Sequence, residues 1–199
     1  MNKNFYEAMK ERRSIYAIGN ESPISDERIK EIVEDVVKYV PSSFNSQSSR
    51  VVVLLGESHN KLWNITMEAL RKIVPASDFA STEGKINSFK AGYGTALFYE
   101  DFEIVEGLQK QFALYKDNFP VWASQTSGMM QFALWTALSI EGLGASLQHY
   151  TELIEEEAKK EFNIPNNWKM IAQMPFGNIL APAGEKEFSP IENRVKVLK

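Results

Sequence analysis

The sequence contains no cysteine and only two histidines, His59 and His149, among its 199 residues. The absence of cysteine excludes thiol nucleophiles, iron–sulfur clusters and cysteine-ligated zinc, and two histidines do not favour a histidine-rich metal centre. We therefore expect no metal site. His59 lies in a polar segment, where the default expectation is a solvated side chain.

Long hydrophobic runs and an excess of basic charge are also missing. The most apolar stretch, residues 129–140, has 12 residues and includes polar ones, whereas a membrane span needs roughly 20. Lys and Arg number 22 against 26 Asp and Glu, a net charge of −4, and a nucleic-acid binder usually has a strongly basic face. The first thirteen residues lack the apolar stretch of a signal peptide. We expect a cytoplasmic protein with no membrane or nucleic-acid partner.

Three familiar catalytic motifs are absent or incomplete. No GxxxxGK phosphate loop occurs, and residues 142–147 approach a dinucleotide fingerprint but lack its third glycine. Residues 144–148 half-match the nucleophile elbow of hydrolases, again without the second glycine. The acidic run 155–157 is most simply a solvated helix face. The motifs therefore favour neither a hydrolase nor a metalloenzyme.

The length predicts one domain over residues 1–199, and the hydrophobic spacing predicts mixed helices and strands. Ser25 is a candidate helix cap, and Pro41 a stop. Helices are expected over residues 4–13, 25–39, 61–74, 78–89, 120–143 and 152–162. Strands are expected over residues 51–55, 95–99, 145–148 and 170–174, with 194–198 as an edge strand. This pattern is typical of an α+β or three-layer fold.

The predicted helix over residues 120–143 is apolar in every direction around its axis. A helix of this kind must be buried all round. In a chain of this length that indicates a central helix, whose burial a second subunit could complete. Gly142 and Gly144 are expected to end it. The apolar side chains are Trp122, Met129, Met130, Phe132, Leu134, Trp135, Leu138 and Ile140.

Three separate segments carry groups that suit a phosphorylated heterocycle. Arg12, Arg13 and Ser14 can hold a phosphate, and the amides of Asn45 and Gln47 can both donate to and accept from ring heteroatoms. Further positive charge comes from Lys186, Arg194 and Lys196. Each segment has a plainer interpretation: a double arginine at a helix end favours the helix dipole, and a polar loop is often only a loop.

Taken together, the segments resemble the nitroreductase family. The resemblance rests on Arg12-Arg-Ser-Ile, on the loop Pro41-Ser-Ser-Phe-Asn-Ser-Gln47 leading into a strand, and on Gly142-Leu-Gly-Ala-Ser-Leu. It implies a three-layer α/β/α fold with a central, mostly antiparallel sheet. It also implies an intertwined homodimer with FMN bound at the subunit interface.

The resemblance assigns no catalytic side chain, because the flavin carries the chemistry. The residues it marks as cofactor-binding are Arg12, Arg13, Ser14, Tyr16, Ser43, Asn45, Gln47, Gln148, Lys186 and Arg194. Tyr16 stands where many members have a basic residue, and residues 47–49 read Gln-Ser-Ser in place of Gln-Pro-Trp. The Tyr16 replacement and the ending Glu192-Asn-Arg-Val-Lys-Val resemble a stress-related subgroup of fungi and some bacteria. Either Lys186 or Arg194 would close the phosphate site.

The implied activity is an FMN-dependent oxidoreductase that takes hydride from NADH or NADPH. Nitroaromatics, quinones or similar small molecules would then accept the electrons at the same site, in a ping-pong order. Two other interpretations stay open from the residues. One is a flavin-binding sensor or regulator with little turnover, and the other is a cofactor-free helical interaction protein whose apolar helix only forms a dimer contact.

Overall fold

The computed structural model describes residues 4–199, and its centre is an antiparallel β-sheet. In the described residues the strands run in the order β1-β5-β3-β2, and β4 also pairs with β5. Every pairing is antiparallel. The strands are β1 (Ile18–Gly19), β2 (Ser49–Leu55), β3 (Gly94–Asp101), β4 (Leu143–Ala145) and β5 (Trp168–Ile179).

Helices cover both faces of this sheet. They are α1 (Phe5–Glu11), α2 (Asp26–Tyr39), α3 (Gly56–Arg71), α4 (Phe79–Lys90), α5 (Phe102–Gln111), α6 (Phe119–Ile140) and α7 (Thr151–Phe162). In the part of the chain from residue 4 onwards, no helix is both long and apolar enough to cross a membrane.

The two faces of β3 belong to two separate hydrophobic cores. Ala96 and Phe98 pack with α2 and α6, whereas Leu97 and Tyr99 pack with α3, α4 and α7. Successive side chains of a strand point to opposite faces, so this alternation puts one helical layer on each side of the sheet. The prediction of an α+β, three-layer fold with an antiparallel sheet is confirmed.

The residues that begin and end the helices explain why many boundaries could be predicted. Ser25 caps α2, its hydroxyl accepting a hydrogen bond from the Arg28 amide over 3.2 Å. That helix ends before Pro41, which cannot continue it. After α6, Gly142 has φ of +89°, a conformation that glycine adopts without a steric penalty.

Helix α6 is buried on one side only within a single chain. Leu134 and Leu138 lie in the core, but several large apolar side chains face outward. These are Val121, Met129, Phe132 and Ile140, each 37% exposed or more. The sequence led us to expect a helix buried on every side. One chain alone does not provide that burial.

The structure differs from the sequence-based expectations at five points. Residues 194–198 form no strand; the tail has a short 3₁₀ turn at Ile191–Asn193 and is otherwise irregular and exposed. Helix α5 was missed, and α3 begins five residues earlier than expected. The strand expected at 145–148 lies at Leu143–Ala145, with Gln148 in an isolated bridge to Gln173. His59 is buried, not solvated.

Candidate functional site

Arg12 follows the end of α1 and lies flat against α6. Its guanidinium carbon is 4.3 Å from the centroid of the Trp135 ring and 5.8 Å from that of Phe132. Its Nε and the Trp135 Nε1 are both buried donors without a hydrogen-bond partner in the described residues. Buried polar groups are normally paired, so these two unpaired donors indicate a place where a hydrogen-bond acceptor would bind.

The electrostatics at Arg12 favour an anion. Burial lowers the pKa of Arg12, and the positive charge of neighbouring Arg13 lowers it further. An arginine stays protonated even so, which leaves a partly desolvated cation beside a second cation. A phosphate or carboxylate at this position would relieve both the desolvation and the repulsion.

The segment after Arg12 lies against β4. The amide of Ile15 donates to the Ala145 carbonyl over 2.9 Å, and Ser14 forms a bridge with the same residue. This close approach requires Gly144, because a Cβ there would lie 2.9 Å from a methyl carbon of Ile15. The glycine of the 142–147 motif therefore serves chain packing around Ser14.

Gln148 and Tyr16 lie near this segment, in different environments. Gln148 is buried; its amide donates to the Ser146 hydroxyl over 3.1 Å, and its backbone pairs with Gln173. Tyr16 is 54% exposed, with its ring 6.3 Å from that of Phe89. Burial raises the pKa of Tyr150, and the neighbouring Tyr16 raises it further. Ser146 is fully buried, which disfavours a nucleophile at this position.

The second candidate segment is the loop of residues 42–47, and its backbone is strained. Phe44, Asn45 and Gln47 have φ of 57°, 51° and 49°. This left-handed region is disfavoured for residues with a Cβ, and such strain persists only where the surroundings impose it. Asn45 and Gln47 are both exposed, so their amides are free to meet a ligand.

Aromatic packing holds the loop at Phe44. Its ring lies 5.0 Å from Phe112, 5.3 Å from Phe119 and 5.9 Å from Tyr115. It also stacks on Trp122 at 5.9 Å and 20°. Each such pair contributes about 0.5–1.5 kcal/mol beyond its buried area. We call these five rings, Phe44, Phe112, Tyr115, Phe119 and Trp122, the aromatic cluster.

The loop is also tied to the start of β2. The Ser42 hydroxyl accepts from the Gln47 amide over 3.0 Å, and Arg50 donates to the Gln47 carbonyl over 2.6 Å. Arg50 in turn pairs with Asp101 at 3.0 Å. Sequence reasoning missed Arg50, Asp101 and Trp135, because only their tertiary contacts connect them with the site.

The two candidate segments lie at opposite ends of α6 in one chain. The loop contacts Trp122 near the start of the helix, and Arg12 contacts Trp135 near its end. Thirteen residues at about 1.5 Å each separate these positions by roughly 20 Å along the axis. A single chain therefore does not bring together the arginine and loop parts of the predicted site.

The third group of predicted residues lies in the exposed tail. Lys186 has its ammonium 5.1 Å from the centroid of the Phe188 ring, and Arg194 follows the 3₁₀ turn. Neither makes a contact with the Arg12 segment within the described residues. Their role at a phosphate stays a prediction. The described part of the chain also holds no group of three or more Asp, Glu or His suited to a metal ion.

Comparison with known proteins identifies the family. Residues 9–178 match the model of the nitroreductase family. The chain is 37% identical over 188 residues to HBN1 of Saccharomyces cerevisiae, covering 94% of this chain and 92% of that protein. It is 31% identical over 196 residues to the nitroreductase FRM2 of the same yeast, covering 98% and 96%.

A solved structure identifies the same family. The nitroreductase CinD from Lactococcus lactis, in complex with chloramphenicol, superposes with a TM-score of 0.91 at 44% sequence identity, covering 98% of this chain and all of that chain. The same protein has also been solved with 4-nitrophenol. The match extends over nearly the whole chain in sequence and in fold, and so the chain belongs to the nitroreductase family of oxidoreductases.

Proposed function

We propose that this protein is an FMN-dependent oxidoreductase that takes hydride from NADH or NADPH and reduces small nitroaromatic or quinone-type acceptors. The observation that carries the proposal is Arg12: a partly desolvated guanidinium beside a second arginine, with a buried Nε that lacks an acceptor. Nitroreductase-family proteins generally use a flavin, and the phosphate of FMN is an anion of the kind that this position favours.

The residues present fit FMN in chemistry as well as in charge. Arg12, Arg13 and Ser14 would hold the phosphate through charge-assisted hydrogen bonds. Asn45 and Gln47 offer exposed amides, which can both donate to and accept from the polar edge of the ring. When bound, FMN supplies the hydride transfer between donor and acceptor; the chain supplies binding, orientation and electrostatics.

The chain's own residues would control access and charge at this site. The strained loop fixes the direction in which the Asn45 amide points, because the aromatic cluster holds Phe44 beside it. The absence of a candidate acid or base is consistent with a site that nicotinamide and acceptor occupy in turn, in a ping-pong order.

A homodimer is part of the proposal. The arginine and loop segments lie roughly 20 Å apart in one chain, so a second copy has to bring its own loop to Arg12. A twofold axis would complete two equivalent sites in this way. Its contact surface would include the outward apolar side chains of α6, among them Met129 and Phe132. The exposed tail, with Lys186 and Arg194, is available to close the site.

The acceptor class follows from CinD. That relative is 44% identical and has been solved with chloramphenicol and 4-nitrophenol. We propose the same class, small nitroaromatic molecules, for this chain.

The proposal is tested by the visible absorption spectrum of the purified protein, before and after anaerobic addition of NADH or NADPH. We expect an oxidised-flavin spectrum that bleaches with one donor and recovers when 4-nitrophenol or a quinone is added. Initial rates measured against donor concentration, at several fixed acceptor concentrations, should give parallel lines in a double-reciprocal plot. A colourless protein that takes up no added FMN would overturn the proposal. A flavin that bleaches but turns over no acceptor would favour a sensor.

A further inference from the structure

A buried carboxylate lies at the root of the loop, and the proposed chemistry does not use it. Glu100, near the end of β3, is 1% exposed. One carboxylate oxygen accepts from the Ser48 hydroxyl over 2.6 Å, and the other accepts a short hydrogen bond from the Ser49 hydroxyl. Both serines directly follow the loop of residues 42–47.

The cations near Glu100 are engaged with other groups. The positive charge of Arg50, on β2, acts on Glu100 through space. The Arg50 guanidinium itself donates hydrogen bonds to Asp101 and to the Gln47 carbonyl. Lys169, the cross-strand partner on β5, has its ammonium 4.1 Å from the centroid of the Phe102 ring. Helices α5 and α6 contribute only apolar side chains to the small cavity beside Ser48.

Burial raises the pKa of Glu100, while the two serine hydroxyls and Arg50 act in the opposite direction and Asp101 adds to the rise. A buried charge with hydroxyl partners is a poor source of stability, since a well-packed apolar group often does as well or better. The stability of the core therefore does not explain why a carboxylate occupies this position.

The loop supplies that reason. The Ser48 carbonyl accepts from the Asp101 amide over 2.9 Å, and the hydroxyls of Ser46 and Ser48 lie 3.5 Å apart. The segment after the strained residues is thus held to the end of β3 through backbone and side chains together. An ionised carboxylate accepts from both serine hydroxyls at once. Protonation turns one of its oxygens into a donor, so one serine hydroxyl must reorient to accept and the charge-assisted character of both hydrogen bonds is lost.

We infer that Glu100 is a positioning residue: its ionised side chain, acting through Ser48 and Ser49, holds the loop in the strained conformation that presents Asn45 to the flavin. The inference rests on the proposed function, because it takes FMN as the ligand of the loop. Glu100 touches neither cofactor nor substrate. It acts through the two serines alone.

Two pH responses of opposite sign follow. Ionised Glu100 holds the loop in its strained conformation, so FMN affinity should rise as the pH rises through the raised pKa of Glu100. A carboxyl with a raised pKa binds its proton more tightly in the folded state than in the unfolded state. Its contribution to the free energy of unfolding is therefore present at low pH and is lost as the pH rises through the raised pKa. A merely structural residue would move affinity and stability in the same direction.

The test uses Glu100→Gln in the full-length protein, with Glu155→Gln as a matched control. Glu155 is a half-buried carboxylate that accepts from the Met170 amide and from Lys159, away from the loop. The FMN dissociation constant is measured by flavin fluorescence quenching at pH 7.5 and pH 4.5. The ratio of variant to wild-type constants cancels the titration of the FMN phosphate itself. Urea unfolding of the same proteins reports stability.

We expect Glu100→Gln to bind FMN about tenfold more weakly at pH 7.5, the order of one charge-assisted hydrogen bond, and the ratio to fall toward one at pH 4.5. The Glu155→Gln ratio should stay near one at both pH values. A Glu100→Gln ratio near one at pH 7.5, or a raised ratio that does not change with pH, overturns the inference while the proposed function stands.

If Glu100→Gln does not fold, Ser49→Ala decides, since it removes one of the two donors and leaves the charge in place. We expect weaker FMN binding at pH 7.5, with some loss of stability because one buried carboxylate oxygen is left unpaired; unchanged binding overturns the inference. A wild-type protein that binds no FMN overturns the proposed function, and the inference falls with it.

Discussion

At the scale of single residues, Arg12 is the most informative side chain of the candidate site. Its contact with Trp135 fixes the guanidinium, and its unpaired buried Nε leaves it ready for an anion. The cost of desolvating this cation is borne in the free protein and is recovered only when an acceptor arrives.

Replacing Arg12 by alanine should weaken FMN binding by at least tenfold, because a hydrogen bond to a charged group contributes about 1.5–3 kcal/mol. Isothermal titration of the apoprotein with FMN measures the change. Arg71→Ala is the matched control: Arg71 also lies against an aromatic ring, Phe79, at 4.4 Å, but on another surface. Full flavin retention by Arg12→Ala would refute the assignment.

His59 is a second informative residue, and its role is structural. Its Nε2 is 3.1 Å from the Lys90 carbonyl and its Nδ1 is 2.9 Å from the Thr95 hydroxyl. A carbonyl only accepts, so Nε2 carries the proton, and the neutral ring then accepts at Nδ1. The Thr95 oxygen also accepts from the Trp63 indole over 3.0 Å.

Burial lowers the pKa of His59 below its ordinary 6.5. The unfolded chain therefore binds this proton more readily, and stability that is present above pH 6.5 should be lost as pH falls below it. Urea unfolding at pH 7.5 and 5.5 tests this. His59→Ala should cost about 2–4 kcal/mol at pH 7.5, through a cavity and unpaired polar atoms, and should abolish this part of the pH response. His149→Ala, at an exposed position, should do neither.

At the scale of elements, the loop of residues 42–47 depends on what surrounds it. Three of its residues lie in the left-handed region without being glycine. The cost is about 1–2 kcal/mol each for Phe44 and Gln47, whereas asparagine tolerates this conformation. The aromatic cluster offsets that cost at Phe44, and the bonds from Ser42 and Arg50 offset it at Gln47.

Phe44→Ala should destabilise the protein by about 1–3 kcal/mol, because it removes four ring contacts while the strained backbone remains. It should also weaken FMN binding, since the neighbouring Asn45 loses its fixed direction. Thermal unfolding and FMN titration measure the two effects. Leu114→Ala, in the 3₁₀ turn Ala113–Tyr115 but 85% exposed, is the control. Unchanged FMN affinity in Phe44→Ala would show that the cluster does not position the loop.

At the scale of the whole molecule, the outward face of α6 connects the fold with the proposed function. Its apolar side chains are exposed in one chain, and the arginine and loop segments are about 20 Å apart along it. Both features have the same explanation if a second copy covers the helix and completes the site.

Met129→Glu places a charge on that face and should convert a dimer into monomers, with loss of bound FMN. Light scattering after size-exclusion chromatography gives the mass, and absorbance gives the flavin content. Ile73→Glu, at a position 60% exposed beyond the end of α3, is the control and should leave both unchanged. A Met129→Glu protein that stays dimeric and flavin-bound would exclude this face from the interface.

Much of the fold was within reach of the sequence because local rules decide it. The spacing of apolar residues and the Ser25 cap defined α2, and the β-branched run at 51–53 defined β2. Helix α5 was missed although Val105 and Leu108 lie three residues apart on one of its faces. Its capping residue, Asp101, is also the last residue of β3, so no loop separates the strand from the helix. The tail alternates apolar and charged residues, but a strand needs a partner, which the described chain does not give it.

The sequence by itself was enough to predict the family and the α+β fold, and both are confirmed. The residue types of the site and the cover of α6 by a second subunit were also predicted from it and stay proposals. Only the tertiary structure decided that His59 is buried, that the loop is strained without glycine, and that Glu100 lies beneath it. It also decided that Arg12 and the loop are separated along α6. Burial, strain and distance are properties of contacts between residues remote in sequence, and local patterns do not encode them.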